Sequence, residues 1–230
     1  MKKIATVKKK SVTKNYIYNL IYQILVIVLP LITTPYISGV LGAEKIGIYS
    51  FTTSIATYFI LFGSLGVAMY AQREIAYVQD DEKKRSKLFW EIFFFRCITM
   101  AISIIAFYFT YASHGEYQLY YKILIIQLFA NVLDISWFFQ GLEEFKKTVT
   151  RNLLVKILSV ISIFIFVKTQ EDLWIYFVIF VLSILLGNIS LWVYLPKYIV
   201  KLKGEKLQIF SHLKPTIGLF IPQIAIDVYT

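Results

Sequence analysis

The sequence predicts an all-α bundle of membrane-spanning helices, and three observations point to that fold class. Hydrophobic residues make up 58% of the 230 residues, and the mean hydropathy is +0.65. Charged residues make up only 17%, against roughly 25% in ordinary soluble domains, and they cluster so that long uncharged runs remain. A helix needs about 20 residues to cross a bilayer. The composition therefore excludes intrinsic disorder and disfavours a disulfide-rich secreted scaffold.

Long apolar runs predict six membrane spans and the beginning of a seventh. The six predicted spans cover residues 15–43, 46–72, 89–112, 117–142, 148–167 and 173–196, and a further apolar segment covers 215–230. The fifth span carries Arg151 and Lys156 and is the weakest of the six. Pro30 and Pro222 stand within the first and seventh runs, where a proline removes a backbone hydrogen bond. Their placement predicts a parallel internal repeat of which this chain holds the first half.

Lysine and arginine are concentrated in alternate connections between the spans. They lie in the tail 1–14, around 73–87, around 146–151 and in the linker 197–214, whereas the other connections hold only Lys45 and Lys168. Because cytoplasmic loops retain the excess of basic residues, this pattern predicts a cytoplasmic N-terminus. The linker could lie on the inner leaflet as an interfacial helix or form a solvated loop.

The residues that carry metal, disulfide or nucleophile chemistry are scarce. The chain has one cysteine, Cys97, and two histidines, His114 and His212, so the sequence predicts no internal disulfide and no metal site. It contains no glycine-rich phosphate loop and no nucleophile elbow. These patterns predict a protein that is not an enzyme and has no cofactor. The net charge of +10 lies between apolar runs, which favours a membrane surface over nucleic acid.

Several segments resemble the polysaccharide repeat-unit flippases, the Wzx-type members of the multidrug/oligosaccharidyl-lipid/polysaccharide exporter superfamily. The similar segments are 29–42 (LPLITTPYISGVLG), Glu44, 47–51 (GIYSF), 70–81 (YAQREIAYVQDD), 88–96 (LFWEIFFFR) and 134–146 (DISWFFQGLEEFK). Together they cover most of residues 15–150. Two features depart from the pattern: Gly39 stands where such proteins often have arginine, and the chain has about half the usual length.

The resemblance implies two six-helix lobes around a central cavity, with this chain supplying the N-terminal lobe. It implies a flippase in the bacterial inner membrane that moves undecaprenyl-pyrophosphate-linked oligosaccharide to the outer leaflet for O-antigen or capsule synthesis. Polysaccharide polymerase, glycosyltransferases, membrane lipids and a coupling H⁺ or Na⁺ are the implied partners. The alternatives are a multidrug exporter of the same superfamily and a membrane scaffold that does not transport. An integral-membrane glycosyltransferase is the enzyme alternative.

Arg96 is the main candidate for contact with the anionic pyrophosphate. It lies about 12 Å into the third span at 1.5 Å per residue, and charged residues at such depth usually face a cavity or a bundle interior. A guanidinium matches phosphate oxygens in geometry. The alternative is a structural ion pair with Asp134.

The other candidate residues lie on neighbouring spans. Gln127, Asn131 and Asp134 share one helical face, which predicts either a cavity wall or hydrogen bonding between helices; a proton-coupling role for Asp134 is a further possibility. Trp137 could stack on a sugar or belong to an interfacial belt. Lys156 could line the cavity or extend to the inner surface. Arg73 is expected to be a topological anchor or a cytoplasmic gate.

Overall fold

The computed structural model describes residues 12–202 and 204–220, and the secondary structure in this part is helical, without strands. The main helices are α1 (Val12–Ser64), α2 (Val67–Tyr77), α3 (Glu82–Phe107), α4 (Gln118–Val132), α5 (Ser136–Gly141), α6 (Phe145–Phe166) and α7 (Leu173–Trp192). A π-helical turn follows α3 at Tyr108–Ala112, and 3₁₀ turns cover Gln170–Asp172, Leu195–Lys197 and Ile209–His212. A last helix, α8, begins at residue 213 and is described to residue 220.

The helix α1 is a hairpin of two arms joined at Gly42. Gly42 has φ 77° and ψ 166°, a backbone conformation that residues with a side chain rarely adopt. Thr34 and Ser50 line one cavity of about 160 Å³, whereas a straight helix would separate their Cα atoms by about 24 Å. The arms 12–41 and 43–64 therefore run side by side in opposite directions.

Within the described residues, five helical segments are long and apolar enough to cross a membrane. The first, Ile27–Tyr77, contains both arms of the α1 hairpin, so counting each arm as one crossing gives the six spans of the prediction. The all-α polytopic bundle is thus confirmed. Pro222, on which the predicted repeat depends, and Asp227, a charged residue of the seventh predicted segment, lie outside the described residues.

Two of the spans are interrupted, contrary to the continuous helices that the sequence suggests. The second arm of α1 ends at Ser64, and Leu65 and Gly66, with φ of 45° and 72°, separate it from α2. Residues 133–135 likewise separate α4 from α5. The short helices beyond the two breaks pack on each other, and they cross closely at Gly141, where an added Cβ would lie 2.7 Å from the Gln72 carbonyl oxygen.

Two apolar clusters hold the bundle together. One lies where the α1 hairpin, α3, α4 and α7 meet, and includes Phe107, Leu124, Leu128 and Phe177. The other lies nearer the breaks and is rich in aromatic side chains: Phe89, Phe93, Phe95, Trp137, Phe138 and Phe139. The α6 helix packs mainly on α7 and α1 and leaves most of its apolar surface exposed, as expected of a helix that faces lipid or a second lobe.

The basic connections meet at one end of the bundle. Arg85, at the start of α3, donates from Nε and Nη2 to the Tyr198 carbonyl oxygen at 3.0 and 2.7 Å. Lys147, at the start of α6, lies 4.0 Å from the Tyr198 ring centroid, and Lys87 pairs with Glu205 at 3.7 Å. In the described part of the linker, 198–202 and 204–208 are not helical. The linker is therefore a loop held against α3, and not an interfacial helix.

Candidate functional site

Arg96 is almost completely buried in the bundle. Its side chain leaves α3 towards the second arm of α1, and the residue is 3% exposed. Its Nε and Nη1 atoms have no hydrogen-bond partner among the described residues. Burying these two N–H groups without hydrogen-bond partners is costly, because they lose their contacts with water and gain none in return.

Arg96 lines a cavity of about 210 Å³ that lies at both helix breaks. The other lining residues are Thr57, Ile60, Leu61, Ser64, Gly66, Ala68, Asn131 and Asp134. We call this space the Arg96 cavity. Irregular backbone at membrane depth is tolerated where it is buried in protein or borders a water-filled space. The cavity therefore accounts for the two helix breaks that border it. The structure brings three of the predicted site residues, Arg96, Asn131 and Asp134, into this one cavity.

Asp134 belongs to the break between α4 and α5. Its Oδ1 accepts a hydrogen bond from the Ser136 backbone N–H at 2.9 Å, which fixes the carboxylate at the start of α5. Asp134 and Arg96 act on each other electrostatically, but they form no ion pair in the described structure. The alternative of a structural Arg96–Asp134 pair is therefore not the arrangement seen here.

The N-terminus of α2 also borders the Arg96 cavity. Gly66 and Ala68 line the cavity, and the N-cap residue Gly66 provides no side-chain cap. The first N–H groups of a helix carry partial positive charge and attract anions. The cavity thus combines a buried guanidinium, a helix N-terminus, an Asn131 amide and the hydroxyls of Thr57 and Ser64.

The remaining predicted residues do not line the Arg96 cavity. Gln127 is 6% exposed, with its Oε1 unpartnered in the described structure, while its backbone oxygen accepts from Asn131 Nδ2 at 3.0 Å. Trp137 is fully buried, and its ring stacks on Phe89 with centroids 5.5 Å apart. Its indole N–H donates to the Asp134 carbonyl oxygen at 3.0 Å. In this conformation Trp137 supports the break and is not accessible to a sugar.

Lys156 lines a second cavity, of about 360 Å³, between α6 and α7. Arg151 lines the same cavity and donates from Nη1 to Asn188 Oδ1 at 3.0 Å. Asn188 in turn donates to the Ala130 carbonyl oxygen of α4 at 2.7 Å, so it lies between α4 and the second cavity. Sequence spacing could not separate Lys156 from Arg96, because the separation depends on how the helices pack.

Arg73 lies at the surface of α2. Its side chain is 48% exposed and pairs with Glu74 at 2.9 Å. It borders a cavity of about 360 Å³ between α2 and α5, together with Gln72 and Glu143. Arg73 lies within α2 and not at its end, and whether it acts as an anchor or as a gate stays a prediction.

A buried polar cluster at the basic end of the bundle was missed by the sequence interpretation. Glu91 and His212 are 6% and 5% exposed, and His212 Nε2 lies 3.4 Å from Glu91 Oε2. Tyr70 completes the cluster through a 2.8 Å contact of its hydroxyl with His212 Nδ1. The one available signal was an acidic residue, Glu91, inside the apolar third span.

The fold and the Arg96 cavity define a multi-pass membrane protein with a polar site between broken helices. The sequence model of the family described as polysaccharide biosynthesis protein matches residues 12–230, and the chain belongs to this family. The family resemblance drawn from the sequence is thus confirmed. No solved structure matches the chain.

Two curated proteins, each named "Putative O-antigen transporter", are similar to the chain. The one from Escherichia coli (strain K12) is 30% identical over 168 residues, which are 72% of this chain and 40% of that protein. The one from Shigella dysenteriae is 26% identical over 214 residues, which are 87% of this chain and 52% of that protein. The chain therefore spans about half the length of these relatives or less.

Proposed function

We propose that the chain forms the N-terminal lobe of a flippase for undecaprenyl-pyrophosphate-linked oligosaccharide repeat units. The lobe would act in the bacterial inner membrane and move the sugar from the cytoplasmic to the outer leaflet for O-antigen or capsule synthesis. Membership of the polysaccharide biosynthesis family and the names of the two relatives support this proposal. The observation that carries it is the buried Arg96, whose Nε and Nη1 atoms have no hydrogen-bond partner in the described structure, in a cavity between broken helices.

The physical task of such a protein is to shield a pyrophosphate and polar sugars from hydrocarbon. Arg96 supplies a fixed positive charge and a planar donor group that suits phosphate oxygens. The N-terminus of α2 adds a positive partial charge on another side of the same cavity. The Thr57 hydroxyl and Asn131 Nδ2 already donate to backbone oxygens, so the Thr57 oxygen, the second amide N–H and the amide oxygen of Asn131 remain for hydrogen bonds in place of water. No covalent bond is made or broken.

The orientation that we propose places the N-terminus and the basic connections in the cytoplasm. Arg85, Lys87 and Lys147 lie at the end of the bundle where the linker docks, so three basic connections share one face. An excess of lysine and arginine marks the cytoplasmic side of a membrane protein. The cavity would then receive its substrate from this side.

Substitution of Arg96 in the complete transporter tests the proposal. Arg96→Gln removes the charge and keeps hydrogen-bonding capacity, so we expect loss of surface polysaccharide with a normal amount of protein in the membrane. Lys84→Gln removes a cation whose side chain is 74% exposed and is the control, which should retain display. Normal display with Arg96→Gln would contradict the role of Arg96.

A translocation assay with reconstituted protein separates the flippase from a scaffold that does not transport. Reconstituted full-length protein should translocate the lipid-linked oligosaccharide, and the Arg96→Gln variant should not. If the protein is a scaffold, surface display still depends on its presence, but neither the wild type nor the Arg96→Gln variant translocates the lipid. A multidrug exporter predicts export of cationic compounds instead, and for that substrate the positive charge of Arg96 is unfavourable.

A further inference from the structure

The second cavity, between α6 and α7, carries two cations, and we call it the Arg151–Lys156 cavity. Its volume is about 360 Å³, and no aspartate or glutamate is among the described residues that line it. It shares no lining residue with the Arg96 cavity. The Arg151–Lys156 cavity is therefore a separate space with a positively charged lining.

Two polar side chains of this lining are available to a ligand. Lys156 and Ser159, one turn apart on α6, form no hydrogen bond and no ion pair in the described structure. Arg151 is held beside them, because its Nε donates to Asn152 Oδ1 at 2.8 Å and its Nη1 donates to Asn188 Oδ1 at 3.0 Å. A positioned guanidinium near an ammonium suits an anion with several oxygen atoms, such as a phosphate.

The cavity lies in the half of the bundle that adjoins the basic end. The α6 helix begins there at Phe145, so Arg151 and Lys156 follow its start by about 9 and 16 Å at 1.5 Å per residue. Side chains on a helix tilt towards its N-terminus, and long cationic side chains extend towards the membrane surface. Both charges are thus directed towards the headgroups of the leaflet at the basic end.

The helix surfaces beside the cavity are apolar and exposed. Four leucines of α6 and α7 flank the polar lining: Leu154, Leu158, Leu182 and Leu186. Exposed apolar surface of this kind suits acyl chains and is unfavourable towards water. A soluble anion would satisfy the cations alone, whereas a phospholipid also covers the leucines with its acyl chains.

We propose that the Arg151–Lys156 cavity binds the phosphate of an anionic phospholipid from the leaflet at the basic end. The phosphate lies between the Lys156 ammonium and the Arg151 guanidinium, and the Ser159 hydroxyl donates to one of its oxygens. Basic pockets between membrane-spanning helices bind lipid headgroups in this way. The site uses none of the residues of the Arg96 cavity, so it does not depend on the proposed transport.

Native mass spectrometry of the 230-residue chain in detergent tests this site. The chain is titrated with phosphatidylglycerol, whose headgroup is anionic, and with phosphatidylcholine of the same acyl chains, whose headgroup has no net charge. We expect the first phosphatidylglycerol to bind more tightly than phosphatidylcholine. Lys156→Gln should weaken the first phosphatidylglycerol by about fivefold, the factor for one cation beside an anionic lipid, and should leave phosphatidylcholine unchanged.

Two further variants control for surface charge and for folding. Lys84→Gln removes an exposed cation of α3 and should keep the wild-type affinity for phosphatidylglycerol. Ser159→Leu keeps both cations and fills the cavity, so it should also weaken the first phosphatidylglycerol. Ser159→Leu decides the question if Lys156→Gln changes the unfolding curve, which circular dichroism measures in the same detergent.

Three results would overturn the proposal. One is an equal affinity of the wild type, Lys156→Gln and Ser159→Leu for phosphatidylglycerol. Another is displacement of the bound lipid by an equal concentration of inorganic phosphate, which would assign the cavity to a soluble anion. Both leave the transport proposal in place. The third is one-for-one displacement by undecaprenyl-pyrophosphate oligosaccharide, which would assign the cavity to the transported lipid and move the substrate site away from Arg96.

Discussion

Replacing Arg96 by methionine should stabilise the folded chain while it removes the proposed binding group. Arg96 is 3% exposed, and two of its three guanidinium nitrogens lack a hydrogen-bond partner in the described structure. A charged side chain deep in a membrane-spanning helix costs about 2.5–3.5 kcal/mol, and methionine has a similar length without this cost. We therefore expect the free energy of unfolding of Arg96→Met to rise by up to about 3 kcal/mol.

Arg85 is a matched control: it is also a buried arginine, but Arg85→Met should destabilise the chain. It is 8% exposed, but it donates to the Tyr198 carbonyl oxygen and to the Gln79 carbonyl oxygen. Arg85→Met would leave these oxygens without donors, at about 1–3 kcal/mol for each one that stays buried. Unfolding of the two variants and the wild type in the same mild detergent, followed by circular dichroism, measures the difference.

The sign of the change in unfolding free energy of Arg96→Met decides whether Arg96 is a structural, paired arginine or one held for a ligand. A structural arginine, paired in the folded protein, would destabilise the chain by about 3–5 kcal/mol when its partner is left behind. A lower unfolding free energy for Arg96→Met would therefore refute the reasoning that Arg96 is unpartnered and held for a ligand.

Three further predictions concern the helix contacts and one cap. Gly141→Ala should destabilise the chain by about 1–3 kcal/mol, because the added Cβ would lie 2.7 Å from the Gln72 carbonyl oxygen; Gly39→Ala, with open space around it, is the control in the same unfolding assay. Gly66→Ala should cost about 1–2 kcal/mol from its positive φ alone, and the Phe220 backbone nitrogen, 3.0 Å from the added Cβ, adds to this cost. A stability equal to wild type would contradict both the backbone conformation and the close approach. Backbone N–H groups of Lys84 and Lys83 hold the pKa of the Asp81 carboxyl below its ordinary value. The cap of α3 therefore stabilises the fold at pH values above the unfolded pKa of about 3.9, and this stabilisation is lost as the pH falls below it. Asp81→Asn should weaken this acid dependence in unfolding curves measured between pH 5 and pH 2.

The spans and the basic face could be predicted because they depend on composition. Apolar runs with few charges define the crossings, and the alternation of basic connections agrees with the single end at which Arg85, Lys87 and Lys147 meet. Asn131 and Asp134 line the same cavity, although Asp134 lies in the break after α4 and not on the helical face that their spacing of three residues predicts.

The breaks and the buried Glu91–His212 pair depend on contacts between distant residues and were not predicted. Leu65 and Gly66 interrupt a run that is apolar throughout, so hydropathy gives no sign of the break. His212 reaches Glu91 across 121 positions in the sequence, and a single sequence does not show which histidine meets which carboxylate. The sequence left two alternatives for Trp137, stacking on a sugar or an interfacial belt, yet packing turns its ring into the aromatic core.

The most direct test of the account is an experimental structure of the complete transporter with a bound undecaprenyl-pyrophosphate oligosaccharide. The account predicts that the pyrophosphate lies within hydrogen-bonding distance of the Arg96 guanidinium, in the space bordered by Gly66, Asn131 and Asp134. A bound pyrophosphate at the Arg151–Lys156 cavity, with Arg96 closed onto Asp134, would contradict it.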